Sequence, residues 1–312
     1  MSFKFIERNP FMERILSYIV SPAETNLPIS KFLKTKGFST QNIIELKKME
    51  RSVLINNEWM HMNYRLQENQ ELTIHIQENS VNEHIVPIKL PFPVIYEDED
   101  IIVVNKPANM PIHPSQNNYD NTLANAAVYY YEITHNTPFI FRCINRLDRD
   151  TTGLTILAKN MYSANILASF MRDRKIKRLY LAILDGSLDK KWGTINRPIG
   201  RKDNSTIERE VNYEKGEKAI THYYRIKSIG NYQLAAFQLE TGRTHQIRVH
   251  MSSIDAPLVG DTLYNRKSSA SLLPRQALHA YRISFPHPIT GKLMKFTAPI
   301  PKDMANFISS QK

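Results

Sequence analysis

From about residue 96 onward the chain presents one short apolar run after another: IIVVNK, LTILAK, RLYLAIL, ITHYYRIKSI, YQLAAFQLE, ALHAYRISFP and LMKFTAPIP. Two stretches between them read as helices, NTLANAAVYYYEI and YSANILASFMRDRKI. Neighbouring parallel strands need a crossover of a dozen or more residues, so a doubly wound sheet shows strands and helices in regular alternation. That alternation is missing here. The order predicts an α+β fold built on a mixed, largely antiparallel sheet. The run HQIRVHMSSI sits among these strands and turns, yet Thr244 and Arg248 fall four apart, as on one face of a helix.

Residues 13–76 read as a separate, small α/β unit. ERILSYIV and LPISKFLKTKGFSTQNIIELKKM carry apolar residues at helical spacing (Ile29, Phe32, Leu33, then Ile43, Ile44, Leu46), with Ser39 and Thr40 as N-cap candidates. Two strand-like runs follow, SVLINN and ELTIHI. The segment NSVNEHIVPIKLPFPV, with Pro87, Pro91 and Pro93, then suggests a linker or a leading extended strand. The expected organisation is a first domain over 1–80, a connection over 81–95 and a second domain over 96–312. Nine of the ten glycines fall after residue 150, where each is expected to mark a backbone requirement.

Charge separates the two parts as clearly. Residues 1–90 carry a net charge of +1 and residues 91–312 a net charge of +10, so the basic excess belongs to the larger part. Such a surplus suits a polyanion, although a solvated positive face would also explain it. No apolar run approaches the ~20 residues of a membrane span. MSFKFIERNP lacks the apolar core of a secretory signal, and Cys143 has no second cysteine to pair with. These features predict a cytoplasmic protein with no membrane association, and Cys143 is read as a small buried hydrophobe.

Three polar clusters interrupt the apolar pattern. The first, Asn145-Arg146-Leu147-Asp148-Arg149-Asp150-Thr151-Thr152-Gly153, is a loop feeding a buried strand, the arrangement of an active-site loop on a rigid sheet or of a surface turn with solvated ion pairs. The second runs from Thr241 to His250 (TGRTHQIRVH); its histidines are five apart, poor spacing for a metal, and it reads otherwise as a helix start with solvated basic residues. The third places five cations in seven residues, Arg172, Arg174, Lys175, Lys177 and Arg178, just before Tyr180. Phosphate contacts with base stacking would use such residues, and so would a helix C-terminus. There is no Gly-rich phosphate loop, dinucleotide fingerprint or nucleophile elbow.

In order along the chain, YEDEDIIVVNKPANMPIHP, INRLDRDTTGLTILAK, KRLYLAIL with RPIGR, KAITHYYRI, LETGRTHQIRVHM with PLVGDTLY, and ALHAYRISFPHPITGK with APIPKDM resemble the RluA/RluD family of RNA pseudouridine synthases. Residues 13–76 are similar to a degenerate S4-type RNA-binding domain. The resemblance implies isomerisation of uridine in RNA, without metal or cofactor. It places the catalytic aspartate at Asp148, the arginine that replaces the extruded nucleotide at Arg146, the tyrosine packed on the target base at Tyr180, and the arginine paired with the carboxylate at Arg248. The remaining polar residues of the clusters, Arg149, Arg174, Lys175, Lys177, Arg178, Arg243, His245 and Gln246, are expected to bind RNA and support base flipping. Ribosomal RNA of the large subunit is the expected substrate, with transfer RNA as the alternative, and the chain is expected to be a monomer. Two positions depart from the family pattern. Asn145 stands where histidine usually precedes the first arginine, a change expected among RNA contacts, and Asn265 stands where glycine is usual in a turn.

Chemistry agrees with the transfer. A base moved from its N1 to its C5 on the same ribose needs one bond broken and one formed, with no redox step, and one carboxylate serves by attacking the sugar or by drawing a proton. In a dry pocket that carboxylate needs a contacting cation, the role expected of Arg248. A non-catalytic RNA-binding protein lacks use for the Asp148, Tyr180 and Arg248 set. A glycoside hydrolase using Asp148 and Asp150 is poorly matched to the net charge of +10.

Overall fold

Two sheets organise the chain in a computed structural model that describes residues 12–78, 84–115 and 118–311. Residues 79–80 at the end of the expected first domain, residues 81–83 of the expected connection, and the N-terminal segment considered for a signal lie outside the described residues. The smaller sheet is antiparallel, in the order β1 (Met12–Ile19), β4 (Glu71–Glu78), β2 (Val53–Ile55), β3 (Glu58–Trp59). Helices α1 (Ile29–Thr35) and α2 (Thr40–Lys48) cover it. Ser39 caps α2, its Oγ accepting from the Asn42 amide at 3.0 Å. ERILSYIV, read at helical spacing, is a strand instead: β1 pairs with β4 along its whole length, and Leu16 and Val20 point inward while Ile15, Ser17 and Ile19 face out. A period of two won over a period of 3.6 because β4 offered a partner.

The larger sheet has nine strands. Its order is β5 (Val94–Glu97), β6 (Ile101–Lys106), β7 (Thr152–Ala158), β14 (Leu278–Pro286), β8 (Lys177–Leu184), β13 (Tyr232–Leu239), β12 (Ile220–Ile229), β9 (Trp192–Asn196), with β15 (Leu293–Thr297) beside β14. Only the β7–β14 pair is parallel, so the sheet is mixed and largely antiparallel. A small ribbon, β10 (Ile199–Arg201) with β11 (Arg209–Val211), lies apart. Helices α3 (Leu123–Tyr129), α4 (Met161–Arg172), α5 (Gln246–Ser252) and α6 (Lys302–Ser310) complete it, and none of the described helices is long and apolar enough to cross a membrane. HQIRVHMSSI therefore resolves to helix. The α+β expectation stands.

The parallel contact between β7 and β14 explains one glycine. Gly153, the second residue of β7, has φ +113°, and a Cβ there would lie 2.3 Å from the Ala280 carbonyl oxygen, so only glycine brings the start of β7 this close to β14.

The smaller unit packs against α4. Tyr162, Met161 and Ile166 join its apolar core, and the rings of Phe38 and Tyr162 lie 4.2 Å apart. The Tyr162 hydroxyl donates to the Lys36 carbonyl at 2.6 Å and the Asn165 amide to the Gly37 carbonyl at 2.7 Å. Two carboxylates tie the seam. Glu78 accepts from Arg142 and from the Met161 backbone, both at 2.7 Å. Asp100, its side chain 3% exposed, accepts from Arg14 Nε at 3.0 Å and Nη2 at 3.2 Å, from Asn160 at 3.0 Å and from Ser163 at 3.1 Å.

Candidate active site

The loop before β7 alternates between core and cleft. Asn145 is buried, its amide nitrogen donating to the Leu154 carbonyl at 3.0 Å and its amide oxygen accepting from the Ile156 backbone at 2.9 Å. Leu147 enters the core, while Arg146 and Asp148 between and beyond them face the cleft. The Thr151 amide closes a turn onto the Asp148 carbonyl at 3.1 Å. The departure at Asn145 thus falls on a buried residue. Its amide has two backbone partners on β7 and locks the loop in place. Asn265 likewise ties a turn, donating to the Leu258 carbonyl at 2.9 Å and the Ser269 hydroxyl at 2.7 Å.

Across the cleft, α5 presents Arg248. Its Nε and Nη2 donate to the two oxygens of Asp261 at 2.7 and 2.9 Å, and Asp261 is fully buried. The third nitrogen, Nη1, donates to Asp148 Oδ2 at 3.3 Å. Burial works against the charge of Arg248, and the Asp261 pair overcomes it, so the guanidinium is held above the ordinary arginine range. Tyr264 stacks under it, the guanidinium carbon 4.9 Å from the ring centre. The arrangement is asymmetric. Asp261 fixes the fork, and Asp148 receives only its free corner.

His245 precedes α5 in a left-handed conformation, φ +58°, and its Nε2 lies 4.0 Å from Asp148. Its Nδ1 hydrogen-bonds the Tyr264 hydroxyl at 2.8 Å. Burial lowers the pKa of this imidazole, against the pull of Asp148. Tyr180 projects from β8 into the same cleft, where burial raises its phenol pKa. The cavity holding Arg146, Asp148, Tyr180, Arg178, Arg243 and His245 measures about 210 Å³. That lies below the ~300–1,000 Å³ of drug-sized sites and suits one planar base. A second lobe beyond Asp148 is lined by His113, Arg146, Arg149 and Arg243.

The other expected residues divide. Arg178 lines the cleft with its Nε buried and unpartnered, and Arg149 and Arg243 stand at the rim, paired with Asp150 and Glu217. Arg174, Lys175 and Lys177 are exposed on the continuation of that rim, Arg174 pairing with Glu240. Gln246, expected among the RNA contacts, lies at the inner wall of the cleft. It is buried, accepting from Thr241 and the Arg243 backbone and donating to Ile220 and Thr221 at 2.8–3.0 Å, which holds the loop carrying Arg243 and His245. Asp150 accepts from the Asn109 amide at 3.2 Å, a loop-bracing role. The Cys143 thiol is pushed up to about 12 by burial and donates to the Asn145 carbonyl.

Three residues escaped the sequence reading. Asp261 and Tyr264 lie within PLVGDTLY, where a glycine before an acid at a turn was the available signal; Gly260 has φ +74°. Lys106 ends β6 fully buried, its ammonium donating to the carbonyls of Pro107, Met110 and Arg149 at 2.8–2.9 Å. Burial lowers its pKa to about 7, partly offset by Asp150 and Asp148. Lys106 thereby pins the backbone next to Asp148. Among the described residues, Asp98, Asp100 and His287 form the one group at metal-binding spacing, and hydrogen bonds from Tyr96, His287, Arg14, Asn160, Ser163 and backbone amides already occupy its oxygens.

Fold and cleft together define an enzyme with one available carboxylate beside a fixed cation and a basic rim for a phosphate-bearing substrate. Comparison with known proteins narrows the class. A family model for RNA pseudouridylate synthase matches residues 100–253. The uncharacterized RNA pseudouridine synthase YjbO of Bacillus subtilis is 36% identical over 285 residues, 91% of this chain and 99% of that protein. Ribosomal large subunit pseudouridine synthase D of Haemophilus ducreyi is 40% identical over 238 residues, 72% of each chain. The structure of human RNA pseudouridylate synthase domain containing 1 shares the fold, with a TM-score of 0.57 at 23% identity over 71% of this chain and 94% of that one. The chain belongs to the RluA/RluD family of RNA pseudouridine synthases, isomerases that act on RNA.

Proposed function

We propose that the protein isomerises uridine in large-subunit ribosomal RNA, as a cytoplasmic monomer, with Asp148 as the reacting carboxylate. The observation that carries this reading is the single 3.3 Å hydrogen bond to Asp148 from a guanidinium whose other nitrogens are tied to Asp261. Asp148 keeps lone pairs free for the ribose while a cation stands beside it. The bond from ribose to base N1 breaks, the base turns, and a bond to C5 forms as the C5 proton leaves to water and N1 takes one up, with no net change in mass. Asp148 serves either by attack on the sugar or by drawing a ribose proton.

A stacked uridine cannot reach Asp148, and extrusion costs a few kcal/mol. Arg146, exposed on the loop between both lobes, fills the vacated place in the stack, and Tyr180 packs on the base. Arg178, Arg243, Arg149, Arg174, Lys175 and Lys177 hold phosphates along the rim. His245 borders the base, and Gln246 positions the loop. Residues 1–80 act as an S4-like RNA-binding domain through the exposed cations of α1 and α2, Lys31, Lys34, Lys47 and Lys48. Ribosomal RNA is favoured by relatives named for it, such as the Haemophilus ducreyi ribosomal large subunit pseudouridine synthase D. The longest described helix, α4, has twelve residues, too short for a coiled-coil seam between copies.

The test is tritium release from ribosomal RNA transcripts carrying uridine labelled at C5. Release by the parent chain and none by Asp148→Ala supports the reading. Release by both, or by neither, refutes it.

A further inference from the structure

The outer strands of the large sheet present a second surface that the reaction does not use. On β12, His222 and Tyr224 lie two apart and so share a face. Across from them on β9 stand Thr194 and Trp192 in direct register. The hydrogen bond between the Thr194 hydroxyl and His222 Nδ1 at 2.8 Å shows that these side chains lie together. Trp192 is 72% exposed and Tyr224 45% exposed, in a chain that has only two tryptophans. The Lys191 ammonium lies 5.5 Å from the Tyr224 ring centre. Lys190 and Lys227 are exposed nearby, with Asp189 as the adjacent acid.

This face lies on the side of the sheet away from Tyr180, which points the same way as Phe237 and Tyr223 in register with it, and a groove joins it to the catalytic cleft around the strand ends. The groove lined by Arg174, Lys177, Arg178, His222 and Glu240 shares Met171, Arg178 and Leu239 with the cavity around Asp148. His222 ends that groove, and a rise of about 3.4 Å per residue carries the same face about 7 Å further to Tyr224 and Trp192. Two exposed rings flanked by lysines, at the end of a cationic groove, have the chemistry of a stacking platform for unpaired bases. A protein partner would favour an apolar patch without this cationic border.

We propose that Trp192 and Tyr224 stack bases of a single-stranded segment of the substrate RNA that leaves the cleft along the Arg178–His222 groove, with Lys191 neutralising its backbone. The proposal rests on RNA being the substrate and adds where a second stretch of it binds.

Trp59→Phe leaves Trp192 as the sole tryptophan. In that background, a fifteen-nucleotide oligouridylate should quench Trp192 fluorescence saturably. Trp192→Ala with Tyr224→Ala should raise the Kd for the oligomer about tenfold, within the usual range for stacked bases. The same pair should raise KM for a ribosomal RNA transcript, with thermal unfolding unchanged because both side chains are exposed. Absence of quenching, or a double variant whose Kd and KM match the parent, overturns the platform. So does a double variant that changes self-association but not RNA affinity, which would assign the face to a second copy. Failure of the reaction itself is read separately, as missing tritium release by the parent with Trp192 quenching intact.

Discussion

Asp100 and Asp148 are both acids facing an arginine, and they are treated oppositely. At the seam between the two units Asp100 is almost wholly buried and accepts four hydrogen bonds, two of them from one guanidinium. In the cleft Asp148 is 24% exposed and accepts one long bond, from an arginine whose fork belongs to another acid. Saturation makes Asp100 a rivet. Partial engagement leaves Asp148 beside a fixed positive charge with lone pairs available to substrate. The lesson is that the aspartate proposed for the chemistry is the one its surroundings leave unfinished.

The contrast can be broken in graded steps. Asp100→Ala strands Arg14, Asn160 and Ser163, and should destabilise the chain by about 3–5 kcal/mol in urea unfolding. Its folded fraction should keep turnover. Arg248→Lys loses the fork that lets one side chain hold Asp261 and still reach Asp148. Turnover should fall about 100-fold, or ~2.7 kcal/mol in the barrier, in a single-turnover assay. Lys106→Met leaves three carbonyls beside Asp148 without a donor and should cost about 1–3 kcal/mol of stability by the same denaturation. Tyr180→Phe keeps the ring face, so RNA affinity should change by less than about 1 kcal/mol by filter binding. Complete loss of binding would remove the stacking role.

Much of this was legible in the residues. The succession of strands without regular crossovers announced the mixed sheet, and Asp148, Tyr180 and Arg248 stood in recognisable clusters that the fold brings to one cleft. What escaped depended on distant partners. β1 became a strand because β4 lay beside it, a contact some sixty residues away that local periodicity does not encode. Gln246 and Asn145 look like polar contacts in sequence, yet both are buried clamps, Asn145 on the backbone of β7 and Gln246 on its own loop and on Ile220 and Thr221 of β12. Asp261 lies thirteen residues past Arg248 and meets it only after the chain turns at Gly260. Burial of Lys106 in a cage of carbonyls leaves no mark on composition or spacing.

The central claim is that Asp148 carries the chemistry and contributes little to holding the fold. Turnover, RNA affinity and thermal midpoint measured on one preparation of Asp148→Asn test it together. The account predicts no detectable pseudouridine, RNA affinity within a few-fold of the parent, and an unchanged midpoint. Pseudouridine formed at the parent rate, or activity lost only in step with a fallen midpoint, would contradict it.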